Sequence, residues 1–406
     1  MLMVDKVENI AFAYGLKNAL SHEGKCQQGA VVSGLFASGI KKQDVKKYIK
    51  LVNEVVNKIN SMTISEQNLL FPKYESIIGE RPNREGLAEL DKVGKSVVMR
   101  FSPSASGPMH IGHAITASLN YLYVKKYKGK FYLRIEDTNP ENSFIDSYKL
   151  LEDDAKWLTS NDKSLKIEIQ SYRMDIYYKY LETLLKKGSV YVCTCDIEKF
   201  KELVTKSEAC HCRNNNVKEN LLRWNKMLGK EKNSYKDGGA VVRFKSDLKN
   251  KNPAFRDFPL ARINTSKHPL QNKKYKVWPL MNLAVSVDDI EFKVTHIIRG
   301  KDHRDNAERQ KLIFKALGKK YPESYFHGKI HFKDLNLSTS EMRRGIESKK
   351  YKGWDDVKLP TLISLRKRGY KPDAFLKLTE SMGLSEVDKV LDKSSYFELL
   401  DTFNKK

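Results

Sequence analysis

The sequence has no apolar run that approaches the roughly 18 residues a membrane-spanning helix requires. Residues 1–15 contain acidic side chains and lack the long apolar core of a signal peptide. Hydrophobic residues make up 40% of the chain and charged residues 31%, a balance typical of globular proteins. We therefore expect a cytoplasmic protein with no membrane partner, and the length predicts roughly two to four domains or subdomains.

Acidic residues are comparatively few: 50 Asp and Glu stand against 74 Lys and Arg, a formal net charge of +24. Basic surfaces gain affinity for polyanions such as RNA by displacing phosphate counterions. A compositional drift towards lysine across a genome would give the same charge without any such partner. We favour a polyanionic partner over drift, but the charge does not identify the polyanion.

Cysteine is scarce, with five residues in the chain. Four of them form two close pairs separated by 14 residues: Cys193, Cys195, Cys210 and Cys212. In a cytosolic chain such pairs more often hold a metal ion than form disulfides, and four thiolates at this spacing suit a closed tetrahedral zinc site. Two alternatives stay open: the thiols are reduced and unliganded, or His211 replaces one of them. A closed site predicts local folding, not catalysis.

Periodicity divides the chain into five segments. Residues 1–92 are predicted to be helical, because residues 41–60 place apolar side chains at helical spacing: Val45, Ile49, Val52, Val55, Val56 and Ile59. Residues 72–87 are predicted to be a loop-rich linker. Residues 93–190 begin a strand, helix, strand pattern, which returns in residues 275–345. Residues 191–274 are a charged insert with the four paired cysteines, and residues 346–406 are again helical.

This layout predicts an α/β fold. A doubly wound, Rossmann-like parallel sheet is split by an inserted, zinc-bearing domain. A helical extension precedes the sheet, and a helical segment follows it.

The strongest motif is MRFSPSASGPMHIGHA, residues 99–114. It places His110 and His113 around Gly112 at a predicted helix start, directly after a buried strand and a loop of Gly, Ser and Pro. A helix start presents free N–H groups to phosphate, and glycine lets backbone approach a ligand closely. Imidazoles there can donate to phosphate oxygens as charge builds in a phosphoryl-transfer transition state. The alternative is two surface histidines in a turn; the register of strand, loop and helix favours a nucleotide site.

The same segment, followed by RIEDTNPE, resembles the HIGH motif of class I aminoacyl-tRNA synthetases, and their glutamyl/glutaminyl branch in particular. Residues 18–36 resemble the helical extension of the archaeal glutamyl enzymes, and HIIRGKDHRDN matches a later motif. The resemblance covers nearly the whole chain. It implies ATP-dependent ligation of L-glutamate to the 3′ end of tRNA(Glu) through a glutamyl-adenylate. ATP, Mg²⁺ and a structural Zn²⁺ in the acceptor-binding insert would serve this reaction.

The resemblance also implies roles for individual residues. His110, Gly112 and His113 would contact the ATP phosphates, with the two histidines catalytic. The candidates for holding glutamate are Arg100, Ser104, Glu136, Asn282 and Arg299. For Arg100 and Arg299 the guanidinium fork independently suits a carboxylate, and a surface ion pair is the alternative for Arg100. Asp302 is a candidate for the nucleoside, and capping of the next helix is its alternative.

The second motif of the class, KMSKS, departs from its usual form. The aligned segment, residues 336–341, reads NLSTSE, where archaeal relatives often read LSTSK. Glu341 therefore stands where a lysine would neutralise the ATP phosphates, and a carboxylate there would be repulsive. Ser338, Ser340 and Arg343 stay candidates for ATP binding, and Arg343 or Arg344 could substitute for the lysine.

Archaeal-type relatives continue into a C-terminal anticodon-binding β-barrel region, and no run of alternating strands predicts one here. Three explanations are open: the anticodon reader is a separate polypeptide, it has been lost, or it has been cut from the chain. Three alternatives to glutamate charging remain: a glutaminyl-tRNA synthetase, a weak or inactive tRNA-binding paralogue, and glutamate transfer to another RNA nucleoside. Glu341 favours the inactive paralogue.

Overall fold

The computed structural model describes residues 2–40, 42–78 and 86–405 and divides the chain into two compact units, Met1–Glu85 and Gly86–Lys406. None of the helices described there is both long and apolar enough to cross a membrane.

The first unit is helical. Its helices are α1 (Leu2–Leu20), α2 (Gln28–Ala37), α3 (Lys42–Val45), α4 (Ile49–Asn60), α5 (Ile64–Leu70) and α6 (Pro72–Glu75). A short 3₁₀ turn at Lys46–Tyr48 breaks the single helix predicted over residues 41–60. Ile49 is exposed, while Val52 and Ile59 are buried as predicted. The predicted linker is partly helical at α6, and its residues 79–85 lie outside the described part of the chain.

The second unit carries the remaining elements. Its strands are β1 (Val98–Phe101), β2 (Lys130–Ile135), β3 (Leu165–Ile169), β4 (Val190–Cys193), β5 (Val241–Phe244), β6 (Pro259–Ile263), β7 (Val277–Pro279), β8 (His296–Gly300), β9 (Glu323–His327), β10 (Ile330–Phe332) and β11 (Lys389–Leu391). Its helices are α7 (Ile111–Lys126), α8 (Ile145–Leu158), α9 (Met174–Lys186), α10 (Ile197–Thr205), α11 (Val217–Leu228), α12 (Met281–Glu291), α13 (Arg304–Ala316), α14 (Thr339–Glu347), α15 (Leu362–Lys367), α16 (Pro372–Met382) and α17 (Lys393–Asn404).

Parallel strands form the centre of this unit. β1, β2 and β3 pair in that order, and β8 pairs with β9. A hydrogen bond from the Thr295 N–H to the Val98 carbonyl, 2.9 Å long, joins β8 to the side of β1 away from β2. The α/β class with parallel strands is confirmed. The strand order reverses between β1 and β8, which is where open α/β sheets bind ligands.

An antiparallel sheet interrupts this pattern. β4, β5, β6 and β7 pair in sequence order, so the inserted sheet spans residues 190–279. Val192, Trp224 and Leu260 are buried in its core, which continues onto α9 and α12. The insert is therefore packed onto the parallel region through a shared apolar core.

The C-terminal segment differs from its prediction. Residues 346–406 were expected to be helical only, yet they contain β11, which pairs in parallel with β10. β10, predicted as a strand of the main sheet, therefore has its partner 59 residues away in sequence. Gly328, just before β10, lies so close to the Val387 backbone that a Cβ would approach the Val387 carbonyl oxygen to 2.2 Å. Such a long-range pairing leaves no local sequence signal.

Candidate active site

A cavity of about 490 Å³ lies at the carboxyl ends of β1, β2 and β8, at the reversal of strand order. It brings together eight residues that the sequence singled out: Arg100, Ser104, His110, Gly112, His113, Glu136, Arg299 and Asp302. Four basic side chains and two acidic ones line it, so the cavity suits an anionic ligand. Asn282, Ser338, Ser340 and Arg343 are not among its lining residues.

His110 and His113 stack at the start of α7, with ring centroids 3.7 Å apart and planes inclined by 20°. The Nδ1 atom of His110 accepts hydrogen bonds from the Gly112 N–H at 3.1 Å and the His113 N–H at 3.3 Å. That nitrogen is therefore unprotonated, and a neutral ring carries its proton on Nε2. Burial lowers the pKa of His110, and it lowers that of His113 to about 4. Both rings are neutral near pH 7 and can act as hydrogen-bond donors, not as cations.

The free N–H groups predicted at the start of α7 are not observed. The Ile111 N–H donates to the Pro360 carbonyl at 3.0 Å, and the next two N–H groups donate to the His110 ring. The prediction was wrong because His110 is itself the N-cap residue and satisfies these donors with its side chain. Contacts to a phosphate at this position would fall to side chains.

Arg100 and Arg134 share one carboxylate. Arg100 donates from Nε and Nη2 to Asp289 at 3.3 and 3.2 Å, and the Arg134 Nη1 donates to the same group at 2.6 Å. All three side chains are buried. The fork predicted to grip glutamate at Arg100 is thus already paired within the protein.

Arg299 differs from these two arginines. Only 7% of it is exposed, and its partners are neutral: the Gln310 Oε1 atom at 3.1 Å and the Tyr321 hydroxyl at 2.8 Å. No Asp or Glu among the described residues forms an ion pair with it, and its Nε atom has no partner. A buried charge without a counterion is costly, so this guanidinium favours an anion in the cavity.

Glu136 follows β2, as predicted, and lies against the Arg134 guanidinium at 3.3 Å. Burial raises the pKa of this carboxyl group. Ser104 forms an isolated parallel bridge with Glu136, so the loop after β1 continues the pairing of β1 and β2. Glu136 and Ser104 line both the first cavity and a second one described below.

Asp302 accepts from the Lys329 ammonium at 3.0 Å in the wall of the cavity. Burial acts to raise the pKa of Asp302, but the hydrogen bond from Lys329 and the charges of His303 and Lys329 together lower it. The capping alternative for Asp302 is not observed, because His303 occupies the N-cap of α13 and makes no side-chain cap. Sequence reasoning missed Lys329; its only signal was a basic residue shortly before the KMSKS-like segment.

Asn282 lies outside the cavity. Its Oδ1 atom accepts from Gln310 at 3.1 Å, and its Nδ2 atom donates to Asn306 at 3.3 Å. Met281, the preceding residue, lines the cavity instead. Because Gln310 also accepts from Arg299, Asn282 contacts the site only through that glutamine.

The KMSKS-like segment lies at a second cavity of about 550 Å³, which Ser340 and Arg343 line together with Ser104 and Glu136. Ser338 is the N-cap of α14 and accepts from the Glu341 N–H at 3.4 Å. The Glu341 carboxylate accepts from Asn336 and lines a separate groove on another face of α14. Glu341 lines neither the first nor the second cavity, and its predicted repulsion of a phosphate stays a prediction.

Two buried aspartates fix the loops of the site. Asp154 on α8 accepts from the Met109 N–H at 2.8 Å and holds the loop before His110, and burial raises its pKa to about 7. Asp137 accepts from the Ser171 N–H at 2.7 Å and from the Tyr148 hydroxyl at 2.9 Å. These contacts fit a loop-fixing role for Asp137.

The four paired cysteines converge in the inserted sheet. Their sulfur atoms all lie within 4.8 Å of one another, with the 193–210 and 195–212 pairs each 3.9 Å apart. A tetrahedral zinc ion with Zn–S bonds of about 2.3 Å would hold sulfurs roughly 3.8 Å apart. None of the four forms a disulfide. The Cys212 sulfur also accepts from Arg223 at 3.2 Å, which favours its thiolate form. The donor set therefore fits zinc.

Known proteins resemble this chain over nearly its whole length. Residues 96–405 match the family described as tRNA synthetases class I (E and Q), catalytic domain. The glutamate–tRNA ligase of Methanothermobacter thermautotrophicus is 40% identical over 397 residues, which cover 97% of this chain and 70% of the relative. That of Thermococcus kodakarensis is 40% identical over 398 residues, 96% of this chain and 69% of the relative.

A solved structure shares the fold. The glutamate tRNA ligase of Elizabethkingia meningosepticum, solved in complex with its amino acid, superposes with a TM-score of 0.53 at 20% identity. The match covers 77% of this chain and 69% of that one.

Proposed function

The chain belongs to the class I tRNA synthetases of the E and Q group, and we propose that it ligates L-glutamate to the 3′ end of tRNA(Glu). The reaction consumes ATP and passes through a glutamyl-adenylate. The observation that carries the choice of amino acid is Arg299, a buried guanidinium in the cavity that has no carboxylate partner in the described residues.

Glutamate binding follows from the charges of the first cavity. Arg299 binds the side-chain carboxylate, because a charge-assisted pair satisfies both buried groups at once. Glu136 accepts from the substrate ammonium and Ser104 lies beside it. Glutamine, whose amide is neutral, would leave the Arg299 charge uncompensated. This difference selects glutamate over glutamine.

ATP binds with its phosphates at the start of α7. His110 donates from Nε2 to a phosphate oxygen, His113 stacks on it, and Gly112 leaves room for both the His110 ring and Leu337. An oxygen of the α-carboxylate of glutamate then attacks the α-phosphorus of ATP, and pyrophosphate leaves. Because the histidines are neutral and already oriented, they stabilise the developing charge by hydrogen bonding without a proton transfer. Asp302 binds the nucleoside.

Lys329 and Arg343 supply positive charge near the triphosphate, at the walls of the first and second cavities. Both carboxylates that line the first cavity already face cations, Glu136 with Arg134 and Asp302 with Lys329. The described residues thus offer Mg²⁺ no ready cluster of carboxylates there. Mg²⁺ is expected to arrive bound to ATP, where it neutralises the phosphates.

The second cavity accepts the 3′ end of tRNA. It adjoins the first through Ser104 and Glu136, and Arg262 lines it among Asn, Ser and Thr side chains. Arg343, which also lines it, is assigned to the triphosphate. The terminal ribose hydroxyl attacks the acyl carbon of the adenylate, and AMP leaves with the bonding electron pair. Two adjoining cavities allow the adenylate and the nucleotide to be held at once, so positioning dominates this step.

The cysteine cluster holds a structural Zn²⁺ through Cys193, Cys195, Cys210 and Cys212. The sulfur spacing and the absence of disulfides support this assignment. Bound zinc would tie β4 to the following loop and so stabilise the inserted sheet. A cytoplasmic location and a separate anticodon-binding polypeptide stay predictions.

Charging of tRNA with labelled glutamate and, separately, labelled glutamine tests the proposal. Acid-stable product that needs ATP and appears with glutamate supports it. Charging with glutamine alone would make the chain a glutaminyl enzyme. Binding of tRNA without charging or ATP turnover would favour an inactive paralogue.

A further inference from the structure

The start of α14 is closed by three hydrogen bonds that involve Glu341 and its neighbours. The Ser338 N–H donates to the Asn336 Oδ1 atom at 2.8 Å, and the Glu341 N–H donates to the Ser338 hydroxyl at 3.4 Å. The Asn336 amide then donates to the Glu341 carboxylate. The segment that should carry a phosphate-binding lysine is therefore folded into a helix cap, with an acid near the positive end of the helix.

The same helix presents Arg343 to the second cavity. Arg343 donates to the Ser106 carbonyl, and its guanidinium carbon lies 3.1 Å from the centroid of the Phe144 ring. Thr339, in the first turn, contacts the same loop: a Cβ on Gly107 would lie 2.5 Å from its methyl group. α14 is thus docked on the loop that carries Ser104 and leads to His110.

From this arrangement we propose that Glu341 is a positioning residue of the synthetase. By closing the cap with Asn336, it keeps α14 docked on the loop after β1 and keeps Arg343 at the cavity. The positive charge that a lysine at position 341 would supply comes from Arg343. The inference rests on the proposed function, because it assigns Arg343 to the phosphates of ATP.

The competing explanation is that position 341 has simply lost its lysine and with it most of the activity. The two explanations predict opposite effects of restoring that lysine. If Glu341 is a positioning residue, Glu341→Lys removes the cap and places a cation at the positive end of α14, which weakens docking of the helix. If position 341 has simply lost its lysine, Glu341→Lys restores a phosphate contact and raises the rate of tRNA charging.

The test measures tRNA charging at varied ATP and varied glutamate for the wild type and six variants: Glu341→Lys, Glu341→Gln, Glu341→Ala, Asn336→Ala, the double alanine variant of these two positions, and the control Glu398→Lys. Glu341→Lys is expected to lower kcat/KM for ATP about tenfold, the effect of losing a cap and reversing a charge at a helix start. KM for glutamate should stay within about twofold, since Arg299 and Glu136 are untouched. Glu341→Gln keeps an acceptor for Asn336 and should retain activity within about threefold.

Asn336→Ala should resemble the loss of Glu341, and the double variant Asn336→Ala/Glu341→Ala should be no worse than either single alanine change. Glu398→Lys, the same charge change at an exposed position of α17, is the matched control and should leave activity unchanged. An increase in kcat/KM for ATP in Glu341→Lys, or additive effects of the two alanine changes, would overturn the inference.

Amide hydrogen exchange separates this inference from the proposed function, because it needs no activity. The Thr339–Arg343 amides should exchange about tenfold faster in Glu341→Lys than in the wild type or in Glu398→Lys. If the wild type charges no tRNA, the proposed function fails and the exchange rates alone decide the role of Glu341. Unchanged exchange in Glu341→Lys would refute that role.

Discussion

Replacing Arg299 by glutamine is the perturbation for which the structure gives the clearest expectation. The side chain is 7% exposed, and its two partners, Gln310 and Tyr321, are neutral. A charge-assisted hydrogen bond to a substrate carboxylate contributes roughly 1.5 to 3 kcal/mol, and a fork can make two. A total loss of about 3 kcal/mol corresponds to a fall of about 150-fold in kcat/KM for glutamate.

The effect on folding should be small and is part of the prediction. Arg299→Gln loses two hydrogen bonds to neutral groups, but it also removes a buried charge that has no carboxylate partner among the described residues. These contributions oppose each other, so the free energy of unfolding should change by less than about 1 kcal/mol. A large loss of activity at nearly constant stability distinguishes substrate binding from a structural role.

The assay is tRNA charging at varied glutamate, with urea unfolding on the same preparations. Arg304→Gln is the matched control, because Arg304 lies five residues along the chain, is exposed and pairs with Glu386. KM for ATP should be unchanged in both variants, and the preference for glutamate over glutamine should fall only in Arg299→Gln. A kcat/KM for glutamate within threefold of the wild type would show that Arg299 does not bind the substrate carboxylate.

Three further predictions concern other parts of the molecule. His113→Ala should lower kcat about 100-fold in the charging assay with KM for glutamate unchanged, since one preorganised donor is lost; a fall below fivefold would contradict its role. The purified chain should contain one zinc ion per molecule by metal analysis, and Cys212→Ser should lose it and unfold at a lower temperature; a zinc-free, equally stable wild type would contradict the site. Burial raises the pKa of Asp154 to about 7, so its stabilising contribution is complete below its unfolded pKa near 4 and is lost as pH rises through 7. The free energy of unfolding of Asp154→Asn, relative to that of the wild type, should therefore rise by about 3 kcal/mol between pH 5 and pH 8. Urea unfolding at the two pH values measures this difference, and an unchanged difference would contradict the ionisation of a buried Asp154.

Local patterns were sufficient to predict the elements that form the site. The buried strand before Ser102 predicted β1, and the helix start at His110 and His113 predicted α7, because both signals lie within one element. The residues at the carboxyl ends of β1, β2 and β8 could be predicted as a group, since parallel strands place those ends along one edge of the sheet. Arg100, Glu136 and Arg299 accordingly line one cavity.

Contacts between distant segments could not be predicted in this way. Asp289 lies 189 residues from Arg100, so nothing local to Arg100 showed that its fork was already paired. The pairing of β10 with β11 and the salt bridge between Lys329 and Asp302 likewise depend on the tertiary fold. For Asn282, the resemblance indicated the right helix but not which of its faces meets the cavity.

His110 shows a different limit. The spacing of its motif was read as a helix start with free N–H groups, which is the general rule for phosphate sites. The ring nitrogen of His110 accepts two of those N–H groups itself. A histidine at an N-cap can act as a cap or as a ligand, and the sequence does not distinguish the two.

An experimental structure of this chain with a non-hydrolysable glutamyl-adenylate analogue tests most directly whether the first cavity binds the adenylate. We predict the analogue at the strand reversal, with its side-chain carboxylate on Arg299, its ammonium near Glu136 and its phosphate against His110. An analogue bound outside this cavity, or bound there with no anion on Arg299, would contradict this prediction.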